Sequence, residues 1–126
     1  MLQDTKEVFI VESDPAIIRM YTAYIQRRVL GKQVVINSAV TLQEARHAWF
    51  NCGQNARTDV MIVDERLDRY RDALPFVQEV RQGFKGTIIA TSAGGEELLR
   101  AFKEAGCDQI SDKISAAIKT VELLNE

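Results

Sequence analysis

The chain has 126 residues, a length that fits one domain, and we expect residues 1–126 to fold as a single unit. Hydrophobic residues make up 46% and charged residues 27%, a balance that argues against intrinsic disorder. The net charge of −2 gives no strong attraction to nucleic acid or membranes, so we expect neither as a direct partner. No apolar run approaches the roughly 20 residues that span a bilayer, and no signal peptide is recognisable. Cys52 and Cys107 stand in no zinc-binding spacing, and we expect reduced thiols in the cytoplasm.

Short apolar runs alternate with amphipathic segments along the whole chain. The runs, which we predict as strands, are residues 8–11, 34–36, 60–63, 87–91 and the weaker 109–111. Strand and helix alternating five times predict a doubly wound α/β fold with a parallel sheet and helices on both faces.

Cap residues and apolar spacing predict the helices. Asp14-Pro15 is a good helix start, and Thr41 to Glu44 matches the capping box. Residues 51–57 are predicted as a polar loop, and Asp72 is a candidate cap for the third helix. The fourth helix, 96–105, is predicted to turn Leu98, Leu99 and Phe102 inward. The last helix is predicted to bury Ile114, Ala117, Ile118, Val121 and Leu124.

Polar residues follow four of the five predicted strands. These residues are Glu12, Ser13 and Asp14 after the first strand, Asp64 after the third, Thr91 and Ser92 at the fourth, and Lys113 after the fifth. The carboxyl ends of parallel strands meet at one edge, where such sheets bind their ligands. An acidic cluster, a hydroxyl and a lysine are therefore expected to converge there.

The whole chain resembles the receiver domain of two-component response regulators. The motifs that carry the resemblance are residues 9–15, 59–67, 88–93 and 105–108, the last leading to Lys113. The most specific of them is the third-strand motif, which ends in Asp64. The resemblance implies a flavodoxin-like (βα)5 fold with strand order 2-1-3-4-5.

The resemblance also implies phosphoryl-transfer chemistry. Asp64 matches the aspartate that accepts a phosphoryl group, and Lys113 matches the lysine that pairs with that group. Ser92 matches the hydroxyl residue that hydrogen-bonds the phosphoryl group. Thr91 is the competing register, but the small Ala93 after Ser92 favours Ser92.

The implied cofactor is Mg²⁺, which neutralises the incoming phosphoryl oxygens. The implied ligands are Glu12, Asp14, Asp64 and the backbone carbonyl of Arg66. Ser13 stands where the family has a direct acidic ligand, so we expect weak metal binding. Asp14 has a second possible role as a helix cap, which we favour over the metal role.

Two further departures concern the conformational switch. Ile114 replaces the proline that usually follows the lysine, so we expect a rearranged loop. Ile110 replaces the aromatic switch residue of the fifth strand, so we expect damped coupling to the output surface.

The leading interpretation is a receiver phosphorylated on Asp64 by a sensor histidine kinase or a phosphotransfer protein, and not an enzyme. Its expected output partner is a downstream protein or a fused output domain. A homodimer could form through the fourth helix, fifth strand and last helix.

The alternative is a degenerate receiver that acts as a phosphorylation-independent interaction module. A phosphatase or an FMN protein is disfavoured, because Arg66 stands where a phosphatase has its second acid and the acids near Glu12 would repel a phosphate.

Overall fold

The computed structural model describes residues 4–69, 71–92 and 94–126. Its strands are β1 (Asp4–Val11), β2 (Lys32–Ala39), β3 (Val60–Asp64), β4 (Thr87–Thr91) and β5 (Gln109–Ser111). All pairings are parallel, and the sheet order is β2-β1-β3-β4-β5. The predicted fold class and strand order are confirmed.

Helices cover both faces of this sheet. They are α1 (Pro15–Arg28), α2 (Leu42–Arg46), α3 (Gln54–Arg57), α4 (Leu74–Arg81), α5 (Glu96–Ala105) and α6 (Lys113–Leu124). A π-helical turn, His47–Asn51, continues α2. Buried residues of α1 and α6 form one core layer, and those of α2, α4 and α5 form the other. Within the described part of the chain, none of these helices has the length and apolar character needed to cross a membrane.

The central strands are apolar on both faces because each face carries a core layer. In β3, Met61 and Val63 pack in the layer under α2, α4 and α5, whereas Ile62 packs in the layer under α1 and α6. This alternation is the period-two geometry of a strand. The prediction that residues 60–63 form the third strand is confirmed.

The start of α1 also agrees with its sequence. The Asp14 Oδ1 atom accepts a hydrogen bond from the Ala16 N–H at 2.9 Å, and Pro15 takes the first helical position. Tyr21 and Ile25 are fully buried one turn apart. Beyond the helix, Gly31 has a left-handed φ of +71°, which favours glycine at this turn.

The prediction of a polar loop over residues 51–57 is wrong for its second half, which forms α3. Gln54 is buried there, and its Nε2 donates to the Glu7 carboxylate and, at 2.8 Å, to the Thr58 hydroxyl. The Asn37 Nδ2 donates to the same Glu7 carboxylate at 3.0 Å. A polar network, rather than an apolar stripe, therefore holds this helix on the sheet, and hydrophobic periodicity could not reveal it.

Asp72 does not cap the helix that follows it. Its carboxylate accepts hydrogen bonds from the backbone N–H groups of Leu67, Asp68 and Arg69 at 2.8, 2.9 and 3.1 Å. The cap position of α4 belongs to Ala73, which makes no side-chain cap bond. Asp72 instead folds the β3–α4 loop onto itself, and its backbone hydrogen bonds lower its pKa despite the opposing effect of burial.

Three side chains predicted to face inward point outward. Leu99 is 37% exposed, Ile118 41% and Ile114 70%. In α6 the buried face is instead Ala116, Ala117, Thr120, Val121 and Leu124. The Thr120 hydroxyl donates to the Ala116 carbonyl at 2.8 Å, so this polar side chain can be buried. With Thr120 on the buried face of α6, Ile114 and Ile118 lie on the solvent side.

Candidate phosphoacceptor site

Strand alternation brings the site residues onto one face of the sheet. Ile10, Ile62 and Ile89 pair across β1, β3 and β4, and all three belong to the layer under α1 and α6. Two positions further along come Glu12, directly after β1, and Asp64 and Thr91, the last residues of β3 and β4, which pair with each other. Because side chains alternate along a strand, these three residues lie in the next row of the same face.

Lys113 completes this row from the last helix. The Asp112 carboxylate caps α6 by accepting the Ser115 N–H at 2.7 Å, which places Lys113 at the first helical position. The Lys113 Nζ lies 2.8 Å from Glu12 Oε1 and 3.4 Å from Asp64 Oδ2. A single ammonium group is thus shared by the two carboxylates. The sequence predicted the convergence of these strand ends but not this sharing.

The loop that carries Lys113 has a regular structure. No described peptide bond is cis, and α6 begins at Lys113 itself. Ile114 therefore continues the helix at a position where its side chain is exposed. The expected rearrangement of this loop remains a prediction.

Burial dominates the electrostatics of Asp64. Its side chain is only 14% exposed, and burial raises its pKa above the usual range. The Arg66 N–H, which donates to Asp64 Oδ1 at 3.1 Å, and the Lys113 charge both lower that pKa, while the Glu12 charge raises it. The outcome is a raised pKa, so the fold holds this carboxylate at an energetic cost.

Lys113 responds in the opposite sense to its surroundings. Burial lowers its pKa, but the hydrogen bond to Glu12 and the charges of Asp64 and Glu12 outweigh burial, and the pKa is raised. The ammonium form is therefore favoured in the folded protein. Lys113 is a fixed cation at the site.

An open cavity of about 370 Å³ lies over these groups. The residues that line it are Asp64, Glu65, Arg66, Thr91, Ser92, Asp112 and Lys113. Burial raises the pKa of Glu65, which the Asp64 charge also raises. The cavity gives a solvent-borne group access to the Asp64 carboxylate.

The two candidate hydroxyls occupy different positions. Ser92 lines the cavity, and its Oγ accepts the Gly94 N–H at 2.8 Å. Thr91 is buried in the row of Asp64, and its hydroxyl makes no hydrogen bond. Ala93, on which the preference for Ser92 rested, lies outside the described residues. The alternation that places Thr91 beside Asp64 was the signal in the sequence that could have favoured it.

The predicted metal ligands come together only in part. Glu12 is buried and faces Asp64 across the Lys113 ammonium, whereas Ser13 and Asp14 are exposed and the Asp14 carboxylate caps α1. Arg66 borders the cavity beside them. In the described ranges, no group of three or more histidine, cysteine, aspartate or glutamate residues is arranged to hold a metal ion.

Comparisons with known proteins agree on the fold. No protein-family model matches the chain, and no curated protein sequence matches it. Solved structures do match it. A signal receiver domain of a DNA-binding response regulator from Colwellia psychrerythraea 34H superposes with a TM-score of 0.77 at 13% identity, covering 96% of this chain and 99% of that one. The chain has the fold of a receiver domain.

Two further structures show the same likeness. The phosphorylated cyanobacterial phytochrome response regulator RcpA has a TM-score of 0.72 at 16% identity, with 96% of this chain and 89% of that chain covered. A response regulator receiver domain from Bermanella marisrubri has a TM-score of 0.72 at 19% identity, with 97% and 100% covered. The predicted resemblance is thereby confirmed at the level of the fold.

Proposed function

We propose that this chain is a signalling receiver that accepts a phosphoryl group on Asp64 from a phosphohistidine of a sensor kinase or phosphotransfer protein. The observation that carries the proposal is the ammonium of Lys113, which Asp64 and Glu12 share beside an open cavity lined by Asp64 and Lys113. The receiver fold and the phosphorylated state of the similar RcpA add support.

The proposed reaction needs few groups. An Asp64 carboxylate oxygen forms a bond to phosphorus as the bond between phosphorus and the donor's imidazole nitrogen breaks, and that nitrogen takes up a proton. Lys113 then pairs with the phosphoryl oxygens, and the hydroxyls of Ser92 and Thr91, which line the same cavity, are the candidate hydrogen-bond donors to those oxygens. The chain is in this view a phosphoacceptor rather than an enzyme with a separate substrate, and we place it in the cytoplasm.

The residues present fit a weak Mg²⁺ site. Mg²⁺ binds through one or two carboxylates together with substrate phosphate oxygens and keeps several waters. Glu12 and Asp64 supply two carboxylates on one face, and Arg66, whose backbone carbonyl is the third implied ligand, lines the cavity beside Asp64. Bound there, the ion would neutralise the phosphoryl charge. Ser13 leaves the site one carboxylate short, and Asp14 is engaged as a cap.

The central prediction concerns the acceptor. After incubation with Mg²⁺ and acetyl phosphate, intact mass spectrometry should show one added phosphoryl group that hydroxylamine removes, as it removes acyl phosphates. Asp64→Asn should abolish the gain because the nucleophile is lost, whereas Asp68→Asn, an exposed acid of the adjacent loop, should keep it. A gain that persists in Asp64→Asn would place the acceptor elsewhere.

A second prediction concerns the metal. Ser13→Asp should tighten Mg²⁺ binding, since it adds a carboxylate next to Glu12 in a site that is short of one. The measurement is a Mg²⁺ titration followed by NMR shifts. Ser38→Asp adds the same charge at an exposed position of β2 and should leave the affinity unchanged. Equal affinity in all three proteins would mean that Glu12 and Asp14 already complete the site.

A specific observation favours the alternative, an interaction module. The edge strand β5 lies between α5 and α6, whose outer faces expose Leu99, Ile114 and Ile118. Arg100, Lys103 and Asp108 border a groove on the α5 side, so the face carries charges of both signs. Mixed charge beside exposed apolar side chains suits a two-fold contact with a second copy.

This dimer can be tested independently of phosphorylation. Sedimentation velocity at rising concentration should show dimers of the wild type and fewer dimers of Ile118→Asp, which puts a charge into the apolar contact. Leu30→Asp places the same charge at an exposed leucine in the α1–β2 turn and should not alter association. A wild-type protein that stays monomeric at every concentration would contradict the proposed contact.

A further inference from the structure

A tyrosine hydroxyl is buried beneath the site without a hydrogen bond. Tyr21 on α1 is fully buried, and its hydroxyl makes no hydrogen bond in the described structure. Buried tyrosine hydroxyls normally find a partner, and an exception calls for a physical reason. Packing alone supplies none here, because a phenylalanine ring would fill the same space.

The position of Tyr21 connects it to the acidic row. Tyr21 packs in the core layer of Ile10, Ile62 and Ile89, and the next row on that face contains Glu12, Asp64 and Thr91. Burial raises the pKa of the phenol, and the negative charge of Glu12 raises it further. The Thr91 hydroxyl is close enough to lower that pKa, but the two hydroxyls do not meet in hydrogen-bonding geometry.

Glu12 depends on Lys113 in this arrangement. The Oε2 atom of Glu12 accepts the Asp14 N–H at 3.0 Å, whereas Oε1 contacts the Lys113 ammonium and has no hydrogen-bond donor besides it in the described structure. The Glu12 side chain is 3% exposed, so water cannot replace a lost partner. Removing one member of a buried ion pair leaves an uncompensated charge, which is strongly destabilising.

The proposed phosphorylation creates this situation when the weak Mg²⁺ site is empty, because a bound ion would itself pair with Glu12. In that reaction the Lys113 ammonium moves toward the new phosphoryl oxygens, away from Glu12 Oε1. A nearby donor without an acceptor of its own is then needed. Tyr21 has such a donor on the correct face of the sheet.

We propose that Tyr21 is a positioning residue for the site, whose hydroxyl donates to the Glu12 carboxylate when the Lys113 ammonium turns to an anionic group on Asp64. The inference rests on the proposed function for the event that draws Lys113 away. In the resting protein the Tyr21 hydroxyl makes no hydrogen bond, and it donates to Glu12 when Lys113 pairs with the anionic group on Asp64. Lys113 can then serve the phosphoryl group without leaving a bare buried carboxylate.

A double-mutant cycle tests the contact without a phosphoryl group or metal. Lys113→Met removes the cation from Glu12 directly. Tyr21→Phe should leave the melting temperature unchanged or raise it in the wild-type background, since it deletes only an unpartnered hydroxyl. In the Lys113→Met background the same change should lower the melting temperature by about 3 °C or more, because the Oε1 atom of Glu12 loses its remaining donor. Lys113→Gln removes the charge but keeps an amide donor for Glu12, so the effect of Tyr21→Phe should be smaller in that background.

The control and the outcomes separate this contact from simple packing. Tyr24→Phe alters a half-buried tyrosine of the same helix and should have the same effect in every background. Background-independent effects of Tyr21→Phe would overturn the inference, even where Asp64 takes up a phosphoryl group. Coupling between Tyr21 and Lys113 in a protein that takes up no phosphoryl group would support the contact between Tyr21 and Glu12 and would reject the proposed function.

Discussion

Two carboxylates on one sheet face share a single ammonium group, and the rest of the site depends on this contact. Glu12 and Asp64 reach it from β1 and β3, and Lys113 reaches it from the start of α6. The sheet order makes β1 and β3 neighbours, and the Asp112 cap fixes where α6 begins. The charges do not balance, because two acids face one cation. Such a site has an unmet need for positive charge, which suits it to a metal ion with an anionic phosphoryl group.

The departures from the usual receiver pattern fall around this contact rather than within it. Ser13 is exposed and Ile114 lies on the outside of α6, so neither change disturbs the Lys113 ammonium. The Asp14 carboxylate is used to start α1. One molecule could therefore both accept a phosphoryl group and bind a second copy without phosphorylation. Phosphoryl acceptance would use Asp64 and its neighbours in the row, and the contact with a second copy would use the exposed apolar side chains of α5 and α6.

Apolar patterning predicted the elements, and polar contacts account for most of what it missed. The runs ending at Val11 and Val63 identified strands because both of their faces are buried, and Asp14-Pro15 identified a helix start because capping is local. Gln54 was assigned to a loop because its buried partner, Glu7, lies far away in sequence. Tyr21 is a core residue whose hydroxyl lacks a partner, and this depends on how the helix sits over the sheet. Convergence of Asp64 and Lys113 followed from topology, whereas the sharing of one ammonium depends on side-chain geometry that the sequence does not specify.

The most direct measurement is the unfolding free energy of the wild type and Asp64→Asn between about pH 4 and pH 7, with Asp68→Asn as control. The raised pKa of Asp64 means that the native state holds its proton more tightly than the unfolded chain does. Its contribution to stability is therefore present at low pH and is lost as pH rises from the unfolded to the folded pKa. We expect Asp64→Asn to be more stable than the wild type at pH 7, with a difference that shrinks toward pH 4. An Asp64→Asn protein that is less stable at pH 7 would show that this carboxylate is a structural ion-pair partner, and would contradict a site held at an energetic cost for chemistry.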